Sequence, residues 1–262
     1  MKVKIRIENL TKLYTTPRTS EIVHALDRIN LDIYESEFLS LIGPSGCGKS
    51  TLLYIIAGFE SASEGNVFLD GQKIKKPGPD RGIVFQEYAL FPWMTAKKNV
   101  GFGLEIKGIP EEERLRISQQ YLNMMGLKGF ENKFPHELSG GMRQRCALAR
   151  CMANHPEVLL MDEPLASVDA MTRTTLQEEI LKVWGEGKAD ERKTAIYVTH
   201  AIDEAIFLSD RIVAMSCRPG KITQIINVPF SRPRGEETRL DPAFSKLYTE
   251  IWNLFKESFL SF

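Results

Sequence analysis

Several features that would narrow the class of this protein are scarce in its 262 residues. Lys and Arg number 34, and so do Asp and Glu, so the chain lacks the basic excess that is usual in nucleic-acid-binding proteins. No apolar run approaches the ~18 residues that a membrane-spanning helix needs. The four cysteines form no C-x-x-C pair, which favours a reducing compartment. What remains is a chain long enough to bury a full α/β core.

A glycine-rich run, Gly43-Pro44-Ser45-Gly46-Cys47-Gly48-Lys49-Ser50, fits the P-loop pattern G-x-x-x-x-G-K-[ST]. An apolar run before it predicts a buried strand, and the residues from Ser50 through Thr51 to Ala57 predict a helix. The glycines let backbone N–H groups converge on an anion, and the helix N-terminus adds partial positive charge. Lys49 would contact the β- and γ-phosphates, and Ser50 would bind Mg²⁺. The sequence therefore predicts that residues 43–51 bind a nucleotide.

A second glycine-rich site is Leu138-Ser139-Gly140-Gly141-Met142. Ser139 is a good helix N-cap, and the two glycines let a phosphate approach the helix that follows. The sequence contains no second P-loop, so the economical interpretation is that this site completes the P-loop site of another copy. A closed site within one chain remains open on these residues alone.

An acidic pair, Asp162-Glu163, ends the apolar run Val158–Met161, which predicts a buried parallel strand. Asp162 would hold Mg²⁺, and Glu163 would take the proton from the attacking water. The alternative is a strand end with two solvated acids. The upstream P-loop favours the catalytic interpretation.

In this order, the motifs resemble those of the ATPase subunits of ABC transporters, over nearly all of the first 230 residues. The resemblance implies four further roles. Tyr14 would stack on adenine, and Gln86 would touch Mg²⁺ and the attacking water. His200 would contact the γ-phosphate, and Asp169 would help to bind the nucleotide. The resemblance also implies a head-to-tail homodimer with ATP and Mg²⁺ at two composite sites.

Shorter motifs resemble the nitrate, sulfonate and taurine branch of importers; they are Phe91–Thr95, Ser139–Arg145, Arg218-Pro219-Gly220 and Val228–Arg234. The implied function is ATP hydrolysis that powers uptake of such a solute. The implied partners are a second ATPase subunit, an integral membrane permease and, indirectly, a periplasmic or extracellular solute-binding protein. The implied location is the cytoplasmic face of the cell membrane, peripheral through the permease.

The alternative function is an ABC ATPase acting on nucleic acid, which the balanced charge and the lack of a heptad run or cysteine cluster disfavour. No nucleic-acid partner is therefore expected. The apolar segment Ala89–Met94 could dock a partner protein, although core packing explains it nearly as well.

The expected fold class is α/β: a P-loop NTPase (RecA-like) core with an antiparallel β subdomain and a helical subdomain. We expect an ATPase domain over 1–230, with the helical subdomain at about 92–157, and a C-terminal extension over 231–262 with one helix. Core strands are predicted near 38–42, 82–85, 158–162, 195–199 and 211–215, and helices over 111–125 and 242–255.

Two positions carry specific expectations. Ala201 follows His200 where the resembled family usually has Asp, which puts carboxylate support for the histidine in doubt. Cys47 lies at a helix N-terminus beside Lys49, and both neighbours favour a thiolate. We therefore expect its pKa to fall below that of a free thiol.

Overall fold

The computed structural model describes residues 2–15, 21–166, 168–185 and 192–260. The chain divides into two compact units. One consists of Met1–Gly78 together with Trp184–Phe262, and the other of Pro79–Val183. The predicted division into 1–230 and 231–262 stays a prediction.

The first unit contains an antiparallel sheet in the order β2-β1-β4-β5. Its strands are β1 (Val3–Thr15), β2 (Ile22–Tyr34), β4 (Glu64–Leu69) and β5 (Gln72–Lys73). Alternate side chains of β1, such as those of Ile5 and Ile7, are buried, as expected for a sheet with one covered face. The turn between β4 and β5 lies at Asp70 and Gly71, both with positive φ.

A mostly parallel set of strands, in the order β10-β9-β3-β8, forms the core of the same unit. The strands are β3 (Phe38–Ile42), β8 (Thr194–Val198), β9 (Arg211–Met215) and the antiparallel edge strand β10 (Ile222–Asn227). Every residue of β3 and β8 is buried, which explains their continuous apolar runs. Helices α1 (Lys49–Ala57) and α6 (Ile202–Leu208) belong to this unit.

The C-terminal residues form two helices, α7 (Glu236–Leu240) and α8 (Pro242–Leu260), where the sequence predicted one. Pro242 lacks an N–H and so begins a helix better than it continues one. The Asp241 carboxylate accepts the Ala243 N–H (2.8 Å), which starts α8 as a separate helix. Phe244, Leu247 and Ile251 are buried and α8 contacts α6. This helix therefore packs against α6 of the same unit.

The second unit pairs β6 (Arg81–Val84) in parallel with β7 (Val158–Asp162). Its helices are α2 (Ala96–Ile106), α3 (Glu111–Met124), α4 (Gly140–Ala153) and α5 (Ala170–Trp184), with a 3-10 turn at Pro135–Glu137. Helices α2, α3 and α4 pack on one another. In α3, Ser118 and Leu122 are buried, as is the C-cap residue Met125, whereas Leu115 and Met124 are exposed.

These elements confirm the predicted α/β class with its antiparallel sheet and helical region. Among the described residues, no helix is long and apolar enough to cross a membrane.

Candidate active site

The P-loop turns from β3 into α1, as its sequence predicts. Gly48 is the N-cap of α1 with φ 89°, and it has no side chain that could cap the helix. A Cβ at this position would lie 2.6 Å from Leu26 Cδ2, so only glycine fits. Because Gly48 offers no capping oxygen, the first N–H groups of α1 are suited to an external anion. Gly46, with φ 77°, has open space where a Cβ would stand.

Lys49 is held inside this loop and is only 5% exposed. Its Nζ donates to the carbonyl oxygens of Gly43 (2.8 Å) and Pro44 (3.0 Å). A buried ammonium group fixed within a turn of N–H donors fits a nucleotide phosphate, which needs both kinds of group. The residues of the loop therefore fit the ligand that the motif predicts.

The expectation for Cys47 is wrong. Its side chain is fully buried, and this burial raises the pKa of the thiol, although the nearby Lys49 ammonium opposes the shift. Its Sγ lies beneath the loop, 2.8 Å from where a Cβ on Gly43 would stand. Chain neighbours favour a thiolate, but removal from water disfavours it more strongly. Cys47 is a space-filling thiol.

His200 follows β8, which runs parallel to β3 with Val198 opposite Leu41. The carboxyl ends of β3 and β8 lie at one edge, so His200 and the P-loop leave the sheet on the same side. The His200 side chain is exposed.

Tyr14, at the end of β1, is 36% exposed, and the Lys12 ammonium lies 4.7 Å from its ring centroid. Lys12 pairs with Leu26, the residue that contacts the Gly48 position. Two residues of strand advance only ~6.6 Å. Tyr14 therefore lies two residues along β1 from Lys12, which is paired with a residue that contacts the P-loop.

In the second unit, Gln86 and the acidic pair follow adjacent parallel strands. Val84 of β6 is paired with Met161 of β7, so Gln86 and Asp162 emerge at the same edge. Asp162 is buried at 4% exposure, Glu163 is half-buried with φ 42°, and Gln86 is exposed. The left-handed backbone at Glu163 is uncommon for a residue other than glycine, and such conformations concentrate at functional sites.

The second glycine-rich site begins α4 as predicted. Ser139 is the N-cap, and its Oγ accepts the Met142 N–H (3.3 Å). A Cβ at Gly141 would lie 2.9 Å from Thr172 Cγ2 of α5. The Asp169 carboxylate accepts the Thr172 N–H (3.0 Å), and this bond lowers its pKa. Thr172 thus contacts both the start of α4 and Asp169. Ser167, between Asp162 and Asp169, lies outside the described residues.

Sequence reasoning missed the residues that shape the segment after Gln86. The Asn99 side chain is fully buried; its Nδ2 donates to the carbonyls of Phe91 (3.1 Å), Met94 (3.0 Å) and Thr95 (3.2 Å), and its Oδ1 accepts the Phe91 N–H (2.8 Å). An asparagine within an apolar helical stripe is the signal that could have revealed it.

Arg150 of α4 holds the adjacent part of the same segment. Its guanidinium donates to the carbonyls of Ala89 (2.6 Å) and Tyr88 (3.1 Å), two residues with positive φ. Trp93 projects from the segment with 69% of its surface exposed. The segment is therefore a fixed structure with an exposed aromatic tip, and only part of it is packed.

Comparison with protein families identifies the family to which these motifs belong. The profile of the ABC transporter family matches residues 26–166, which is more than half of the chain. This chain belongs to the ABC transporter family. It is one of the family's ATP-binding proteins and an ATPase.

Relatives cover nearly the whole chain. An uncharacterized ABC transporter ATP-binding protein of Methanocaldococcus jannaschii is 52% identical over 260 residues, 99% of this chain and 94% of that protein. The taurine import ATP-binding protein TauB of Pelagibacter ubique is 42% identical, with 95% and 96% covered. The bicarbonate transport ATP-binding protein CmpD of Synechococcus elongatus is 46% identical, with 92% and 86% covered. The predicted resemblance is confirmed.

Two solved structures are similar, each with a TM-score of 0.76 and 34% identity over 87% of this chain and 100% of the other. One is a dimeric ATP-binding cassette in a post-hydrolysis state bound to ADP and Pi. The other is a dimeric bacterial ABC transporter cassette. This similarity confirms the fold class.

Proposed function

We propose that this ATPase powers the import of a small solute through a separate membrane permease. The observation that carries the proposal is that two helices, α1 and α4, begin at glycine-rich motifs, of which only the first contains a P-loop lysine. Relatives of nearly equal length named for taurine and bicarbonate import support the direction of transport. Nothing supports the alternative of action on nucleic acid.

In the proposed site, the Lys49 ammonium and the backbone N–H groups of the loop at 43–51, all but Pro44, which has none, bind the phosphates. Tyr14 stacks on the adenine. Ser50, Gln86 and Asp162 hold Mg²⁺, which neutralises charge on the phosphate oxygens. Glu163 accepts the proton of the attacking water, and His200 contacts the γ-phosphate. The burial of Asp162 and the left-handed backbone of Glu163 support these roles.

We propose that two copies form a head-to-tail homodimer. In it, Ser139, Gly140, Gly141 and Asp169 of one copy complete the P-loop site of the other. The dimeric state of the two similar structures supports this arrangement. The exposed Ser139 hydroxyl at the start of α4 supports it as well, because a site that must meet another chain has to be accessible.

The segment Ala89–Met94 is proposed to contact the permease. Its apolar composition and the 69% exposure of Trp93 are typical of a protein-docking surface. The cargo is proposed to be nitrate, a sulfonate, taurine or a related small solute, and the location the cytoplasmic face of the membrane, held there by the permease.

The test of the proposed chemistry is Glu163→Gln, which keeps the size of the side chain and removes its basicity. Loss of a general base lowers turnover by ~10²–10⁴-fold. ATP binding should be retained, and the ATP-bound variant should elute as a dimer in size-exclusion chromatography. Glu157→Gln, at a solvent-exposed position ahead of β7, is the matched control and should hydrolyse ATP at the normal rate. Near-normal hydrolysis by Glu163→Gln would contradict the assignment.

A further inference from the structure

The turn that carries His200 lacks the usual means of fixing the helix behind it. Ala201 is the N-cap of α6, and an alanine side chain offers no oxygen to the N–H groups of the first turn. Glu204 is the third residue of α6, where the carboxylate of a capping box accepts the N–H of the N-cap residue. Here the N–H of the N-cap residue, Ala201, donates to a different group.

That acceptor is the Thr199 hydroxyl, on the other side of His200. Thr199 Oγ1 accepts the Ala201 N–H (3.0 Å) and donates to Glu204 Oε2 (2.8 Å). The Tyr197 hydroxyl donates to the same carboxylate oxygen (3.0 Å). The Thr199 hydroxyl thus links the Ala201 N–H to the Glu204 carboxylate. These hydrogen bonds connect the residues on either side of His200.

The three side chains that form these hydrogen bonds are shielded from water. Thr199 is 3% exposed, Glu204 4% and Tyr197 fully buried, whereas His200 is exposed. Hydrogen bonds between a hydroxyl and a buried carboxylate are stronger than those between neutral groups. Loss of the hydroxyl would remove one of the hydrogen bonds to the buried Glu204 carboxylate and the side-chain acceptor of the Ala201 N–H.

The opposite end of α6 is also fixed. The buried Arg234 guanidinium donates to the carbonyls of Ile206 (3.1 Å), Phe207 (3.1 Å) and Ser209 (2.7 Å). Because α6 is held at both of its ends, the turn at 199–201 has a rigid support. Thr199, the residue before His200, therefore ties this turn to α6.

We propose that Thr199 and Glu204 are positioning residues for His200. The Thr199–Glu204 pair fixes the residues on either side of the histidine, so that its ring meets the γ-phosphate in one orientation. Glu204 thereby supplies the carboxylate support that Ala201 cannot. The inference rests on the role proposed for His200 in hydrolysis.

The test compares Thr199→Val, which keeps the shape and removes the hydroxyl, with Thr199→Ser, which retains the hydroxyl. A misplaced catalytic contact commonly costs ~10–100-fold in rate. We expect kcat to fall by this factor. The rate is divided by the amount of bound nucleotide, so that protein unable to bind ATP does not lower the value. The KM for ATP should change by less than about twofold, because the P-loop contacts are untouched. Thr199→Ser should recover most of the turnover that valine loses.

A double-mutant cycle with His200→Ala separates positioning from general stability. The loss caused by Thr199→Val should vanish when His200 is already alanine, because the hydroxyl acts through the ring. If thermal unfolding shows that Thr199→Val is not folded, Glu204→Gln takes its place in the same cycle with the same expectation.

Each outcome has one meaning. Normal turnover by His200→Ala would refute the proposed role of the histidine. An impaired His200→Ala enzyme beside a fully active Thr199→Val enzyme would overturn the inference and leave the proposed function intact. An equal loss from Thr199→Val in both backgrounds would overturn it too, since the hydroxyl would then act on folding alone.

Discussion

Thiol labelling of the folded protein should reach Cys217 and spare the other three cysteines. Cys47, Cys146 and Cys151 are buried, whereas Cys217 is partly exposed. Burial raises the pKa of Cys146 and of Cys151 to about 12, and it also raises that of Cys47. A maleimide reacts with the thiolate, so both access and ionisation oppose reaction at the buried positions.

The size of the difference follows from these values. At pH 8 a thiol with a pKa of about 12 is ionised to ~10⁻⁴, whereas a free thiol with a pKa of ~8.5 is ionised to ~0.2. Ionisation alone therefore slows labelling of Cys146 and Cys151 by ~10³-fold. Restricted access to the buried sulfur atoms slows it further.

Cys217 also reports on the P-loop, because its Sγ lies 3.8 Å from the carbonyl oxygen of Ser45. A maleimide at this position should weaken ATP binding, and MgATP should slow the labelling. The assay is mass spectrometry of the peptides after timed labelling, with Cys217→Ser as the control that should remove nearly all native-state label. Labelling of Cys47 as fast as that of Cys217 would refute the reasoning.

Two further predictions concern buried side chains that hold backbone carbonyls. Arg234→Ala leaves the carbonyls at the end of α6 without their donor, and it should lower the free energy of unfolding by ~3–5 kcal/mol in urea denaturation; Arg234→Lys should recover only part of this. Asn99→Ala removes four bonds to the segment Phe91–Thr95 and should speed proteolytic cleavage near Trp93 several-fold. Unchanged unfolding or cleavage would contradict the respective roles.

The fully buried strands β3, β7 and β8 were predictable from sequence because each is a largely apolar run that ends at or shortly before a candidate site residue. Predicted and observed bounds of β3, β7 and β9 coincide, and those of β6 and β8 differ by one residue. Strand β10 was missed because it lies at the edge of its sheet, with every one of its residues at least partly exposed, so its sequence has neither an apolar run nor regular alternation. The start of α8 at Pro242 was predicted, whereas the short helix α7 was missed because only Thr238 of its five residues is buried, so it has no apolar stripe.

Motifs whose residues are adjacent in sequence could also be predicted. The P-loop turn and the N-cap at Ser139 form as predicted, since their geometry is set by nearby glycines and a serine. The pKa of Cys47 was predicted in the wrong direction, because sequence neighbours show charge and not burial. The hydrogen bonds of Thr199 to Glu204 and Ala201 were missed for a similar reason, because sequence neighbours do not show which side chains meet.

The central claim is that each active site is composed of two copies of this chain, and mixing two inactive variants tests it most directly. Lys49→Ala disables the P-loop, and Ser139→Arg places bulk and charge at the start of α4. Each variant alone should be inactive, and Ser139→Arg should still bind ATP as a monomer because its P-loop is unchanged.

After the two variants exchange subunits, half of the dimers contain one of each. Every mixed dimer then has one intact site, made of the P-loop of the Ser139→Arg chain and the α4 start of the Lys49→Ala chain. The account predicts recovery of about a quarter of wild-type ATPase activity, since random pairing leaves that share of sites intact in a two-fold dimer. A mixture that forms mixed dimers and stays as inactive as its components would contradict the claim, because the site would then lie within a single chain.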